Sequence, residues 1–121
     1  MIVLLDTSIL LILEQKHINL QAIHEILGSY EFAVPTSVLE ELEVISSRNG
    51  KKGKLAKAAL SFASTLQKVN TSEDADTSLI TLAKEYNAAV ATMDDELIRR
   101  LKRAGITVLT LSKDRFILVS R

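Results

Sequence analysis

Near the start of the chain, four apolar residues in a row, Ile2 to Leu5, stand directly before Asp6. An apolar run without polar alternation is typical of a strand that is buried on both faces, and both faces are covered mainly in parallel α/β sheets. Asp6, Thr7 and Ser8 follow, and residues of these types often cap helices. The run therefore predicts a buried strand that passes directly into a helix.

The same order of strand and helix recurs along the rest of the 121 residues. Further strands are predicted at 31–35, 68–70, 88–92 and 106–109, with a last one at 116–119. Helices are predicted at about 8–14, 20–27, 36–45, 56–66, 76–83 and 94–103. We therefore expect one domain over residues 1–121, an α/β fold of three α/β/α layers with a mostly parallel central sheet.

One polar segment interrupts this order. Residues 46–54 read SSRNGKKGK, and Gly50 and Gly53 are expected to break any helix there. The segment is the one candidate for a flexible loop. Thr36 or Ser37 is predicted to cap the helix that precedes it.

Charge and composition exclude several kinds of protein. Lys plus Arg number 15, as do Asp plus Glu, so the formal net charge of zero gives no indication of nucleic-acid binding. The chain has no Cys, which excludes disulfides and thiolate metal ligands. The apolar start has no basic stretch before it, is interrupted by Asp6 and is too short for a membrane span. We therefore expect a cytoplasmic protein without a membrane anchor.

Acidic residues stand just after four successive predicted strands, where open α/β sheets bind their ligands. In chain order they are Asp6; Glu40 and Glu41; Glu73, Asp74 and Asp76; and Asp94 and Asp95. Carboxylates that are held together repel one another and raise one another's pKa unless a cation balances them. A set of oxygen ligands without His or Cys suits Mg²⁺ or Mn²⁺.

Helix capping is the alternative explanation for these acids. Asp6, Asp76 and Asp94 each stand where a carboxylate would cap a helix or favour its first turn. Glu41 lies slightly inside its helix, where capping does not explain it. Four acids at corresponding strand ends favour the metal site over four separate caps.

The ordered motifs resemble those of the PIN domain family over nearly the whole chain. The first strand and its Asp read IVLLDTSIL, and the following strand and helix with a Glu-Leu pair read VPTSVLEELEVI. The third acid precedes an apolar helix in DADTSLITLA, and the fourth follows a strand in AAVATMDDELIRRLKRAGI. The Glu-Glu-Leu and Thr-Met-Asp segments most resemble the archaeal branch, which is related to ribosome-processing PIN nucleases and toxin-like PIN proteins.

The resemblance implies a ribonuclease that uses metal-activated water. It implies the metal ligands Asp6, Glu41, Asp76 and Asp94, with Asp74 and Asp95 as accessory acids and with Ser8 and Thr92 orienting the carboxylates. The cofactor would be Mg²⁺ or Mn²⁺ and the substrate RNA, single-stranded or structured. Many members of the family are dimers, so a homodimer is one expectation.

Two basic clusters are candidates for phosphate contacts. Arg48, Lys51, Lys52 and Lys54 lie in the predicted loop, where RNA binding and an ordinary solvated surface are about equally favoured. The cluster from Arg99 to Arg103 is better explained as a solvated helix face, since cations are favourable near a helix C-terminus.

The same residues disfavour several other functions. A receiver domain would have an acidic pair after the first strand, and an aspartate-nucleophile phosphatase an Asp-x-Asp, whereas this chain has only Asp6. A dinucleotide-binding domain would have a Gly-rich turn there. The alternatives left open are a PIN-like RNA-binding or ribosome-assembly module with little activity, and a toxin that an antitoxin partner regulates.

Overall fold

A six-stranded sheet forms the centre of the computed structural model, which describes residues 1–121. The strands are β1 (Ile2–Leu5), β2 (Glu31–Pro35), β3 (Gln67–Val69), β4 (Ala89–Ala91), β5 (Val108–Ser112) and β6 (Arg115–Ser120). They lie in the order β3-β2-β1-β4-β5-β6; the first five are parallel, and β6 pairs antiparallel with β5. The predicted α/β fold with a mostly parallel sheet is confirmed.

Six helices connect the strands. They are α1 (Thr7–Gln15), α2 (Gln21–Leu27), α3 (Thr36–Ser46), α4 (Lys51–Ala63), α5 (Ala75–Tyr86) and α6 (Asp95–Arg103). None of them has both the length and the apolar character that a membrane span requires.

The apolar run that opens the chain lies at the centre of the sheet. Val3, Leu4 and Leu5 are almost fully buried, as is the whole of β4 beside them. A parallel strand flanked by two others, with helices over both faces, has no side that faces water, which explains why its sequence does not alternate.

The strand order reverses between β1 and β4. From β1 the chain builds outwards through β2 and β3, and it then returns to place β4 on the opposite side of β1. Such a switch point opens a crevice beyond the carboxyl ends of the two strands, where ligands of open α/β sheets bind. Asp6 and Thr92 follow directly after β1 and β4, so they lie at this crevice.

The predicted flexible loop at residues 46–54 is wrong in its second half. α4 begins at Lys51, directly after Gly50, and includes Gly53. Gly53 is buried in the first turn of α4, and a Cβ atom there would lie 2.0 Å from the carbonyl oxygen of Arg48, in the turn that joins α3 to α4. The glycine is therefore required by the close approach of this turn, which outweighs its low helix propensity.

The predicted side-chain cap of α3 is also wrong. The residue before the helix is Pro35, and no side chain caps the helix. The Thr36 hydroxyl instead contacts the backbone of Thr71, accepting from its N–H at 3.0 Å, and Thr71 in turn donates to the Ser37 hydroxyl at 3.1 Å. These bonds tie the start of α3 to the loop before α5, because β2 and β3 end side by side in the sheet.

Candidate active site

Asp6 is the most buried acid of the molecule, with 6% of its surface exposed. One carboxylate oxygen caps α1 by accepting from the N–H of Ile9 at 3.0 Å, and it also accepts from the Ser8 hydroxyl at 2.6 Å. The other oxygen accepts from the hydroxyl of Thr92, which is fully buried. The Asp6 carboxylate is thus held in one orientation by both strand ends.

Burial raises the pKa of Asp6 above its usual value, although the hydrogen bonds from Ser8, Thr92 and Ile9 oppose this shift. Asp76 nearby adds a smaller repulsion that acts in the same direction. Water has been removed from the carboxylate without a positive charge to replace it, so the site favours the approach of a cation.

The segment after β4 is fastened to the segment after β1. The Met93 N–H donates to the Ser8 hydroxyl at 3.0 Å, and the Asp94 N–H donates to the Thr92 hydroxyl at 3.0 Å. Asp94 then caps α6, because one of its oxygens accepts from the N–H groups of Glu96 and Leu97. This network fixes where the exposed Asp94 carboxylate stands relative to Asp6.

α5 brings two further acids, and they play different structural parts. Asp74 is the cap of α5 and accepts from the Thr77 N–H at 3.1 Å, and hydrogen bonds from Thr77 lower its pKa. Asp76 lies in the first turn and caps nothing. The pKa of Asp76 is raised by burial first and then by the charges of Asp94 and Glu41. Asp6 and Asp94 are therefore helix caps, and Asp76 occupies the first-turn position that was the other structural explanation for these acids.

Arg100 is a participant that the sequence analysis missed. Its guanidinium lies 3.8 Å from the Asp76 carboxylate, and its charge partly offsets the rise in the pKa of Asp76. The sequence predicted a solvated helix face for the cluster from Arg99 to Arg103. No local pattern could show that α6 places one of these arginines against the start of α5.

Glu41 reaches the site from α3, on the other side of β1. Its side chain is exposed, and its carboxylate accepts a hydrogen bond of 2.5 Å from the hydroxyl of Thr7. Thr7 stands next to Asp6 in the chain and lines the same cavity, although no sequence motif indicated a part for it in the site.

One open cavity of about 420 Å³ joins these groups. It is lined by Asp6, Thr7, Ser8, Glu41, Lys52, Asp74, Asp76 and Asp94, with apolar side chains from Leu11, Ala75, Ile45 and Leu79. The expected acids Asp6, Glu41, Asp76 and Asp94 and the accessory Asp74 are all among them, whereas Glu40 and Asp95 are exposed outside it.

The donor set of the cavity fits a hard divalent cation. All its candidate ligands are carboxylate or hydroxyl oxygens, and the mutual repulsion of Asp76, Asp94 and Glu41 would be relieved by a positive charge between them. The carboxylates do not converge into a preformed cluster of three or more ligands. Binding would therefore include small adjustments of the side chains around the fixed Asp6.

Comparison with known proteins identifies the family of the chain. The family model described as PIN like domain matches residues 3–114 of the chain. The chain belongs to this PIN-like family. Its match to Ribonuclease VapC9 of Archaeoglobus fulgidus is 36% identical over 93 residues, which is 76% of this chain and 69% of that protein.

Solved structures share the fold at lower sequence identity. The PIN domain endonuclease Utp24 superposes with a TM-score of 0.78 and 21% identity, over 99% of this chain and 92% of that one. VapBC2 from Rickettsia felis, solved bound to a DNA fragment from its promoter, gives a TM-score of 0.62 and 19% identity, over 93% of this chain and 100% of that one. At this identity the two likenesses concern the fold alone.

The expected basic cluster lies at the start of α4. Lys52 lines the acidic cavity, and Lys51 and Lys52 also line a neighbouring cavity of about 310 Å³. The two cavities share Leu11 and Lys52, so they adjoin each other. Lys54 and Arg48 are exposed, and neither lines the acidic cavity.

Proposed function

We propose that this PIN-like protein is an endoribonuclease that depends on Mg²⁺ or Mn²⁺. The observation that carries the proposal is the single cavity at the switch point of the sheet, which gathers five carboxylates and no nitrogen or sulfur metal ligand. Ribonuclease VapC9, which is 36% identical to the chain, supports RNA as the substrate.

Asp6, Glu41, Asp76 and Asp94 are the proposed ligands of the cation. Asp6 is the fixed member, because the Ser8 and Thr92 hydroxyls and a backbone N–H hold it in place. Asp74 lines the cavity and is an accessory acid. Asp95 lies outside the cavity, so it could act on the cation only through its negative charge and not as a ligand.

When bound, Mg²⁺ or Mn²⁺ would lower the pKa of a coordinated water, and its charge would stabilise the negative charge that develops on the phosphate. The residues of the chain orient the carboxylates and bind the RNA substrate. Lys52 stands at the edge of the acidic cavity, where its ammonium would attract the phosphate next to the one cleaved.

RNA is proposed to continue past the acidic cavity towards the start of α4. The adjoining cavity combines the ammonium groups of Lys51 and Lys52 with the apolar side chains of Leu11 and Leu55. Lys54 and Arg48 extend the positive charge beyond it. Contacts of this kind attract the backbone of RNA with little dependence on its sequence.

Cleavage of a labelled, unstructured RNA tests the proposal. The purified protein is incubated with Mn²⁺, with Mg²⁺ and with EDTA, beside the variants Asp76→Asn and Asp95→Asn. Asp76 caps no helix, so its loss should leave the fold intact, and Asp95 is a matched acid outside the cavity. We expect cutting that disappears in EDTA and in Asp76→Asn but persists in Asp95→Asn.

Folded protein that binds the RNA but cuts with neither metal would instead support the RNA-binding or ribosome-assembly module. Equal cutting by wild type and Asp76→Asn would exclude the acidic cavity as the active site.

A second candidate is the toxin of a toxin–antitoxin pair. The likeness to VapBC2 favours the toxin candidate, since the structure of VapBC2 shares the fold and was solved bound to a DNA fragment from its promoter. This candidate predicts that expression of the wild type, but not of Asp76→Asn, arrests growth of the host cell.

Size-exclusion chromatography with light scattering would show whether the protein is the expected homodimer.

A further inference from the structure

Glu41 differs from the other proposed ligands in how it is held. Asp6 and Asp94 accept backbone N–H groups, and Asp76 stands in the first turn of α5 beside Arg100. Glu41 has a longer side chain, is exposed and accepts no backbone hydrogen bond. Without a contact to hold it, the side chain would sample several rotamers and would have to be ordered when a cation binds.

The hydroxyl of Thr7 supplies that contact. It donates to one oxygen of the Glu41 carboxylate at 2.5 Å, across 34 positions of sequence. Thr7 is the first residue of α1, and the start of α1 is itself fixed by the Asp6 cap. Because Thr is branched at Cβ, its side chain has few rotamers and can present the hydroxyl in a defined direction.

We propose that Thr7 is a positioning residue that holds Glu41 ready to bind the divalent cation. The inference rests on the proposed function. The hydrogen bond engages one carboxylate oxygen and leaves the other to the metal, and Thr7 also joins Glu41 to the chain segment that carries Asp6. Hydrogen bonds of this kind orient metal ligands and are part of the affinity of a metal site.

Two substitutions separate the hydroxyl from the shape of the side chain. Thr7→Val keeps the branched shape and removes the donor, whereas Thr7→Ser keeps the donor. Thr81→Val is the matched control, because Thr81 is an exposed threonine of α5 that does not line the cavity. Circular dichroism and thermal unfolding verify the fold of each variant. If the Thr7→Val protein does not fold, Thr7→Ala replaces it.

The readout is the dissociation constant for Mn²⁺, measured by calorimetric titration of the protein without RNA. We expect Thr7→Val to weaken Mn²⁺ binding by about tenfold, the size typical for loss of a hydrogen bond to a metal ligand. Thr7→Ser and Thr81→Val should bind within about twofold of wild type, since neither loses that donor. In a Glu41→Ala background, Thr7→Val should cause no further loss, because the two residues act as one unit.

Wild type that binds Mn²⁺, with Thr7→Val binding equally well, would overturn the inference and leave the proposed function standing. Losses that add fully in the double variant would overturn it too, since Thr7 would then act other than through Glu41. Wild type that binds no Mn²⁺ at all would contradict the proposed function itself.

Discussion

The acids of the cavity differ in whether they also stabilise the fold by capping a helix. Asp6 and Asp94 cap helices, whereas Asp76 and Glu41 do not. Capping stabilises the fold whether or not a cation is bound, while repulsion among neighbouring carboxylates destabilises it. Substitutions at these positions should therefore separate stability from activity.

Replacing Asp94 by Ala should lower the free energy of unfolding by about 1 kcal/mol, because the N–H groups of Glu96 and Leu97 lose their acceptor. Asp76→Ala should leave it unchanged within about 0.5 kcal/mol, since it removes a repelled charge and only a half-exposed ion pair. Urea unfolding in EDTA measures both. A larger loss in Asp76→Ala than in Asp94→Ala would contradict this assignment of caps.

Replacing Thr92 by Val should lower the free energy of unfolding by about 2 kcal/mol. The Thr92 hydroxyl is fully buried and serves both the Asp6 carboxylate and the Asp94 N–H, so its loss leaves buried groups without a partner. Chemical denaturation measures the change, and Thr92→Ser, which keeps the hydroxyl, is the control. Equal stability of Thr92→Val and wild type would show that the network between the strand ends contributes nothing.

A carboxylate after a buried strand marks the ligand edge of a parallel sheet, which predicted the acidic segments of the cavity, and the family resemblance selected Asp6, Glu41, Asp76 and Asp94 among them. The resemblance also implied Ser8 and Thr92 as partners of the carboxylates, and both hydroxyls bond Asp6, but two other partners were not predictable. The Thr7–Glu41 and Arg100–Asp76 contacts join segments that are far apart in the chain. Such contacts depend on the packing of helices, which local sequence patterns do not report.

At the scale of elements, the start of α4 shows packing outweighing propensity. Gly53 suggested a loop because glycine lowers helix stability when a helix is considered alone. In the folded chain the backbone of Arg48, in the turn between α3 and α4, approaches so closely that only glycine fits at position 53. The strands were easier to predict, because burial on both faces leaves a direct pattern in the sequence.

Replacing Gly53 by Ala should lower the free energy of unfolding by about 3 kcal/mol or more, although alanine has the higher helix propensity. The added Cβ would lie 2.0 Å from the Arg48 carbonyl oxygen, so the turn between α3 and α4 would have to shift. The control is Lys54→Ala, an exposed position of the same helix, for which we expect a change within about 0.5 kcal/mol. A more stable Gly53→Ala protein in thermal and urea unfolding would contradict the packing argument.

At the scale of the whole molecule, the reversal of strand order creates the site. β1 and β4 are neighbours in the sheet although 83 residues lie between Leu5 and Ala89, and Asp6 and Thr92 meet only because of this pairing. The alternation of strands and helices predicted a parallel sheet. It could not give the order of the strands or the antiparallel direction of β6, which depend on long-range pairing.

Divalent cation should stabilise the whole fold, because it binds the native cavity and not the unfolded chain. At a concentration of one hundred times the dissociation constant, Mn²⁺ should raise the free energy of unfolding by about 2.7 kcal/mol, and EDTA should reverse the gain. Thermal unfolding of wild type and Asp76→Asn with and without Mn²⁺ measures this. A gain of the same size in Asp76→Asn would place the stabilising ion elsewhere.

The central claim is that the cavity at the ends of β1 and β4 holds a divalent cation. Anomalous diffraction from crystals grown with Mn²⁺ tests it most directly, because the metal is located without reference to activity. We predict a peak bound by Asp6 together with carboxylates drawn from Glu41, Asp76 and Asp94. If crystals grown at saturating Mn²⁺ show no anomalous peak in this cavity, or show the Mn²⁺ bound by other residues, the cavity is not the metal site.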